Sequence, residues 1–277
     1  MKNKILFFAF LFFLFNCTNK QIEEKNKKEI ERIISLLPYI SEEIYLLQSE
    51  EKLVGVTKYC TRPEQIKEKE KIGDIINVNI EKIYELKPDI IFASTLLDKR
   101  TYNKLKELNL NIIVFKEPKN FNEICEQFLE VAKYLNKEKE AKKILDEAKK
   151  KLLEVNNKKY KKQLKMIVQI GANPIFIATK ESFIHSIIEY SGFINAGADF
   201  PNYQAVSREQ IILTNPDIII IIDMGVQTEE EIKTWKKFNN LNAVKNNKIF
   251  SYDATKLCSP TPISFIEIVY DIIKLCE

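Results

Sequence analysis

The side chains best suited to chemistry in this chain are tyrosines, cations and cysteines in short polar stretches, together with two glutamates that recur in one context. Tyr39, Tyr59, Arg62, Lys99, Arg100, Tyr203 and Lys256 combine flat, hydroxyl-bearing rings with positive charge. A tyrosine offers a ring face and a hydroxyl, and an arginine offers a rigid fork for carboxylates. Such a set suits a bulky, partly aromatic, anionic ligand. Cys60 and Cys258 fall in the same kind of stretch. Their thiolates can ligate a metal, the pair can close a disulfide, or both can stay unpaired. Cys125 and Cys276 lie in helical stretches and read as core filling.

Several chemistries are excluded. The single histidine, His185, rules out a histidine dyad or a multi-histidine metal site. Six glycines leave neither a dinucleotide fingerprint nor a phosphate-binding loop. No serine elbow accompanies a suitably placed histidine, so catalysis is not expected. Forty-three basic against 39 acidic residues give a net charge of +4, spread along the 277 residues. That balance is too weak and too dispersed to indicate nucleic acid.

The two glutamates belong to a module that occurs twice. Val78–Ile91 recurs as Val206–Ile219 at an offset of 128, with 7 of 14 positions identical. Each copy reads as a short helix feeding a buried strand. Asn79 and Ser207 are N-cap types, and Glu81 and Glu209 sit in the first turn, where a carboxylate complements the helix dipole. Pro88 and Pro216 stop the helices because proline lacks an amide proton and disfavours helix in the residue before it. The runs Ile90–Ala93 and Ile218–Ile222 have the length and β-branching of strands covered on both faces. The duplication points to two similar α/β lobes with mostly parallel sheets, each presenting one glutamate at the same place.

The rest of the chain supports that division. Lys2 and Lys4 precede the apolar run Ile5–Phe15, which is too short to span a bilayer as a mature helix and matches a secretory signal over residues 1–16. Cys17 follows as in a lipobox, which makes it the expected lipidation site. Residues 17–29 read as a flexible polar tether. Residues 30–135 form the N-terminal lobe, with strands at Ile33–Leu37, Leu53–Thr57, Ile90–Ala93 and Ile112–Phe115, with Ser41 capping a helix to Leu47, and with a helix at Tyr102–Leu108. Within the stretch 120–163 no strand candidate appears. A helix Phe121–Tyr134 is followed by a second, capped by Asn136, so that residues 136–163 form either a helix between the lobes or an ordinary surface helix. Residues 164–277 restart the strand–helix alternation as a C-terminal lobe. His185, just beyond the capping Ser182, falls in the first turn of a helix rather than in a cleft loop and is not expected to bind a metal. Trp235, on a late helix, reads as a packing residue.

Taken together, the lipobox-like start, Val54–Thr57, Asn79–Ala93, Lys180–Ile184, Val206–Gln210 and Asn215–Ile219 resemble the substrate-binding lipoproteins of ATP-driven (ABC) importers for cobalamin, ferric siderophores and haem. The resemblance implies two lobes bridged by one long helix, a ligand cleft between them, and small closure on ligand. It also implies transporter docking through one glutamate per lobe, at Glu81 and Glu209, onto a permease dimer with its ATPase. In a doubly wound sheet the ligand sits beyond the carboxyl ends of the strands. That places Tyr39, Tyr59, Cys60, Arg62, Lys99, Arg100, Tyr203, Lys256 and Cys258 as ligand-binding residues. No intrinsic cofactor is expected; the ligand is a metal–organic complex, an iron chelate, haem or cobalamin. The expected protein is a monomer anchored by lipid on the extracytoplasmic face. A surface lipoprotein of this fold serving adhesion or sensing is the alternative.

Overall fold

Each half of the chain places its most apolar strand in the middle of a sheet. The computed structural model describes residues 29–74, 77–157, 164–202, 204–223 and 227–277. The signal segment, Cys17, Tyr203 and the end of the expected bridging helix lie outside the described residues. The chain divides into Met1–Glu31 and a compact unit Arg32–Glu277, and the account below concerns the second.

The first sheet contains β1 (Ile33–Ser35), β2 (Leu53–Val56), β3 (Ile90–Ser94) and β4 (Ile112–Phe115), all parallel in the order β2-β1-β3-β4. The second contains β5 (Lys165–Ala172), β6 (Ile175–Ile177), β7 (Ile194–Asn195), β8 (Ile218–Asp223) and β9 (Ile249–Asp253). Its path is β6-β5-β8-β9, with β7 also on β5, and only the β5–β6 hairpin is antiparallel. The runs Ile90–Ser94 and Ile218–Ile222 are buried throughout, as strands with covered faces on both sides must be. Two α/β lobes with parallel-dominated sheets result.

Around the first sheet lie α1 (Pro38–Leu46), α2 (Ile80–Glu85) and α3 (Lys99–Glu107). The helices α4 (Phe121–Leu135) and α5 (Glu138–Asn157) follow. The second sheet carries α6 (Phe183–Tyr190), α7 (Arg208–Thr214), α8 (Gln227–Trp235), α9 (Asn242–Lys245), α10 (Ala254–Leu257) and α11 (Pro262–Cys276). Helix α4 packs on α1 of the first lobe and on α11 of the second, while α5 packs on α4, α11 and α6. Phe121 of α4 meets Phe265 at 4.8 Å and Tyr190 at 6.3 Å between ring centroids, which joins the helical layer to the second lobe.

Three helix boundaries differ from the sequence expectation. Helix α1 begins at Pro38, not after Ser41, because proline suits the first helical turn, where its missing amide proton costs nothing. Asn136 does not open α5; it closes α4 in the left-handed region at φ 56°, a conformation asparagine tolerates better than most residues. Helix α3 starts three residues before the expected Tyr102, since Asp98 accepts the amides of Arg100 and Thr101 at 2.9 and 3.0 Å.

The repeated module folds alike in both lobes. Asn79 accepts the Lys82 amide at 3.0 Å, and Ser207 accepts the Gln210 amide at 3.2 Å within a capping box. Lys87 and Asn215, the residues before the two prolines, both take positive φ, 47° and 45°. The duplicated aspartates then do one job twice. Asp89 accepts the Arg32 amide at 3.0 Å, and Asp217 accepts the Lys165 amide at 2.9 Å, tying each module to the start of its neighbouring strand. Gly55 on β2 allows close approach here: a Cβ would meet Leu86 at 3.0 Å at the end of α2.

Candidate ligand cleft and docking carboxylates

The loops that leave the carboxyl ends of β2 and β9 meet across the lobes through Arg62. Its guanidinium lies 2.9 Å from Glu42 of α1 and donates at 3.1 Å to the carbonyl of Ser259, which follows α10 in the second lobe. Burial pushes the Glu42 carboxyl up, an effect that Arg62 opposes and Glu267 of α11 reinforces. Lys119, before α4, makes a second cross-lobe pair with Glu181 at 2.7 Å.

Beside Arg62 the second lobe contributes a compact polar group. The Tyr252 hydroxyl and the Lys256 ammonium both donate to Asp271 Oδ2, at 2.8 and 2.5 Å. Burial raises the Asp271 carboxyl, but these two hydrogen bonds together with the Lys256 and Lys274 charges outweigh it and hold the group below its ordinary value. Cys258 is exposed at the surface, yet desolvation by its neighbours, with the Asp253 carboxylate, pushes its thiol up to about 11. On the first lobe, Tyr59 is 57% exposed, with the Lys58 ammonium 5.1 Å from its ring centroid. Lys99 and Arg100 are exposed in the first turn of α3.

Two of the expected cleft residues are buried rather than open to a cleft. Tyr39 is buried in the first turn of α1, and burial, then the Glu117 and Glu43 carboxylates, push its phenol far above the ordinary value. Cys60 is buried too, with its sulfur 3.3 Å from both Ser41 Oγ and Thr57 Oγ1. The early start of α1 explains both: it turns Tyr39 inward and brings Ser41 over Cys60. Cys60 and Cys258 are both free, so no disulfide joins the lobes at this point. Among the described residues, no group of three or more His, Cys, Asp or Glu could hold a metal ion. Tyr203 lies outside the described residues, and Lys256 is engaged with Asp271 rather than free. Cys125, Cys276 and Trp235 are buried, as packing residues should be. His185 stands 3.3 Å from Asn195 and 3.5 Å from Glu189.

Glu81 and Glu209 are exposed in the first turns of α2 and α7. Each is followed or preceded by a cation that another carboxylate has claimed. Lys82 pairs with Glu70, which lowers the Glu70 carboxyl below its ordinary range. Arg208 is drawn inward onto Glu231 at 2.8 and 3.0 Å and lies 4.3 Å over the Trp235 ring. Trp235 Nε1 donates to Gln169 Oε1 at 2.8 Å, and Gln169 Nε2 donates to Glu231 at 2.8 Å. The network thus hydrogen-bonds the Arg208 fork to Glu231 rather than to Glu209, while the Arg208 charge still favours the ionised Glu209 carboxylate. Hydrogen bonds from its own amide and from Ser207 hold the Glu209 carboxyl below the usual value, so it stays ionised.

Sequence reasoning missed Glu42, Ser259, Gln169 and Glu231 as site residues. Only Gln169 carried a local signal: an amide in the middle of the apolar strand Met166–Ile170 must find partners once buried.

Known proteins agree with this architecture. The chain is 28% identical over 235 residues to the uncharacterized ABC transporter substrate-binding lipoprotein YvrC of Bacillus subtilis, covering 82% of this chain and 74% of that one. It is 27% identical to the vitamin B12-binding protein of Vibrio cholerae over 89% of this chain and 90% of the other. The crystal structure of a possible iron-binding, periplasmic solute-binding protein from Staphylococcus epidermidis superposes with a TM-score of 0.78 at 29% identity, covering 90% of this chain and 99% of that one. These relatives are binding proteins, not enzymes. Residues 33–255 match the periplasmic binding protein family, and the chain belongs to that family.

Proposed function

We propose that this protein captures a metal–organic chelate between its two lobes and delivers it to an ABC permease. The ligand is an iron chelate, haem or cobalamin, and the protein works outside the cytoplasm, held to the membrane by lipid at Cys17. Glu81 and Glu209 are its docking groups. The observation that carries the reading is their repetition: two ionisable carboxylates, at one module position in each lobe, both with the adjacent cation drawn elsewhere. A two-fold permease calls for equivalent charge on both lobes, and exposed charges of this kind steer encounter and orientation more than they add affinity. The iron or cobalamin reading draws support from the relatives, one a vitamin B12-binding protein and one a possible iron-binding protein. Tyr59, Lys99, Arg100 and the Arg62 fork supply ring face and positive charge for an anionic chelate.

The test has two parts. The purified protein is titrated with hemin, cyanocobalamin and ferric citrate by fluorescence quenching. At least one should bind more tightly than about micromolar, roughly −8 kcal/mol; failure of all three would sink the chelate reading. The Glu81→Ala, Glu209→Ala double variant should then keep that affinity and lose stimulation of the reconstituted transporter's ATPase.

A further inference from the structure

Beside each docking carboxylate, one helical turn on, stands an exposed apolar side chain. On α2 it is Tyr84, three residues after Glu81 and 57% exposed. On α7 it is Leu213, four residues after Glu209 and 86% exposed. Spacings of three and four put both members of each pair on one helix face. A single exposed leucine is ordinary on a protein surface. Here the exposure recurs next to the carboxylate in both copies of the module, although the residues are not the same type and do not align. Just behind Leu213, Ile212 leads into a concavity of about 540 Å³ lined also by Asn215, Lys237, Phe238, Asn239 and Leu241.

We infer that each docking glutamate is half of a two-part contact whose other half is this apolar side chain, Tyr84 on the first lobe and Leu213 on the second. This rests on the docking reading above. The partner is the permease dimer, each subunit offering a cation with an apolar recess beside it. Charge complementarity supports that occupant: Lys82 pairs with Glu70 and Arg208 with Glu231, so among the described residues Glu81 and Glu209 stand as exposed carboxylates without a direct ion-pair partner. Each has an exposed apolar side chain one turn on, and on the second lobe Lys237 lies farther off, in the concavity behind Leu213. The division of labour follows from energetics. An exposed ion pair contributes little to affinity and weakens with salt, whereas an apolar side chain that becomes desolvated at the centre of an interface contributes much more. The carboxylates orient the complex; Tyr84 and Leu213 hold it.

The experiment compares wild type, the Tyr84→Ser, Leu213→Ser double variant and the Glu81→Ala, Glu209→Ala double variant. Binding to the purified permease–ATPase complex in lipid nanodiscs is measured at low and high salt, with empty nanodiscs and sedimentation of the protein alone beside it. Both serine substitutions are on the surface, and circular dichroism confirms folding. The serine variant should bind the transporter about tenfold or more weakly at either salt, with hemin, cyanocobalamin and ferric citrate affinities unchanged. The alanine variant should lose chiefly the salt-sensitive part. If the serine variant binds like wild type while the alanine variant fails, docking stands and the apolar contact falls. If neither variant weakens binding, the docking reading itself falls. A serine effect seen equally on empty nanodiscs, or as loss of a self-associated species, overturns the permease as occupant in favour of a lipid surface or a second copy.

Discussion

Removing Glu231 should destabilise the second lobe. Its carboxylate is 8% exposed and takes both the Arg208 fork, 17% exposed, and the Gln169 amide. Glu231→Ala leaves the guanidinium partly buried without its hydrogen-bonded carboxylate partner, with only the exposed Glu209 charge nearby, and Gln169 Nε2 with only the Gly171 carbonyl at 3.0 Å. Breaking a buried pair by removing one partner costs about 3–5 kcal/mol, and the lost amide bond adds about 1 kcal/mol. Arg208 keeps some access to water and its stack on Trp235, which puts the sum at the low end, about 3–4 kcal/mol. For a chain of this size that corresponds to a fall in Tm of roughly 6–16 °C. Urea unfolding gives the free energy and a thermal scan the Tm. Adding Arg208→Leu to Glu231→Ala should recover part of the loss, since the stranded charge is then gone. A single-variant cost under about 1 kcal/mol, or a double variant worse than the sum of its parts, would refute the buried-pair argument.

Two further outcomes can be measured in the same way. Glu43 of α1 is wholly buried with neither oxygen hydrogen-bonded among the described residues, and burial, with the neighbouring Glu42 charge, holds its carboxyl well above 4.5. The unfolded chain releases this proton near 4.5 while the folded chain keeps it, so the Glu43 contribution to stability is full below that pH and declines as pH rises toward the folded value. Glu43→Gln should therefore flatten the pH dependence of urea unfolding above about pH 4.5 and be the more stable protein at neutral pH; a variant that tracks wild type across that window contradicts the assignment. Replacing either cap, Asn79→Ala or Ser207→Ala, should cost about 1 kcal/mol. Each substitution removes one side-chain acceptor, since the amide of residue 207 still donates to Gln210 in the alanine variant; equal stability to wild type in chemical denaturation would show that the caps contribute nothing.

Much of the fold was legible because its signals are local. The caps Asn79, Ser182 and Ser207 and the strands Ile112–Phe115 and Ile218–Ile222 lie where composition and spacing place them. Local chemistry also misled where two local readings compete. Asn136 reads equally well as an N-cap or as a left-handed C-cap, and Pro38 outbids Ser41 as a helix start. The two-residue strand Ile194–Asn195, in a stretch rich in turn residues, gave no periodic signal at all.

The sequence by itself determined that the chain contains a duplicated helix–strand module, that each copy carries one glutamate in a first turn, and that the surrounding alternation makes two α/β lobes. These follow from periodicity, capping chemistry and repetition, which act over a few residues at a time. Only the tertiary structure decided which side chains share a site. Arg62 reaches a carbonyl 197 positions away, and Trp235 meets Gln169 across 66. No local pattern reports such pairings, because they depend on how whole elements pack. That packing turns Tyr39 and Cys60 inward, draws Arg208 away from Glu209, and leaves Tyr84 and Leu213 beside the carboxylates they accompany.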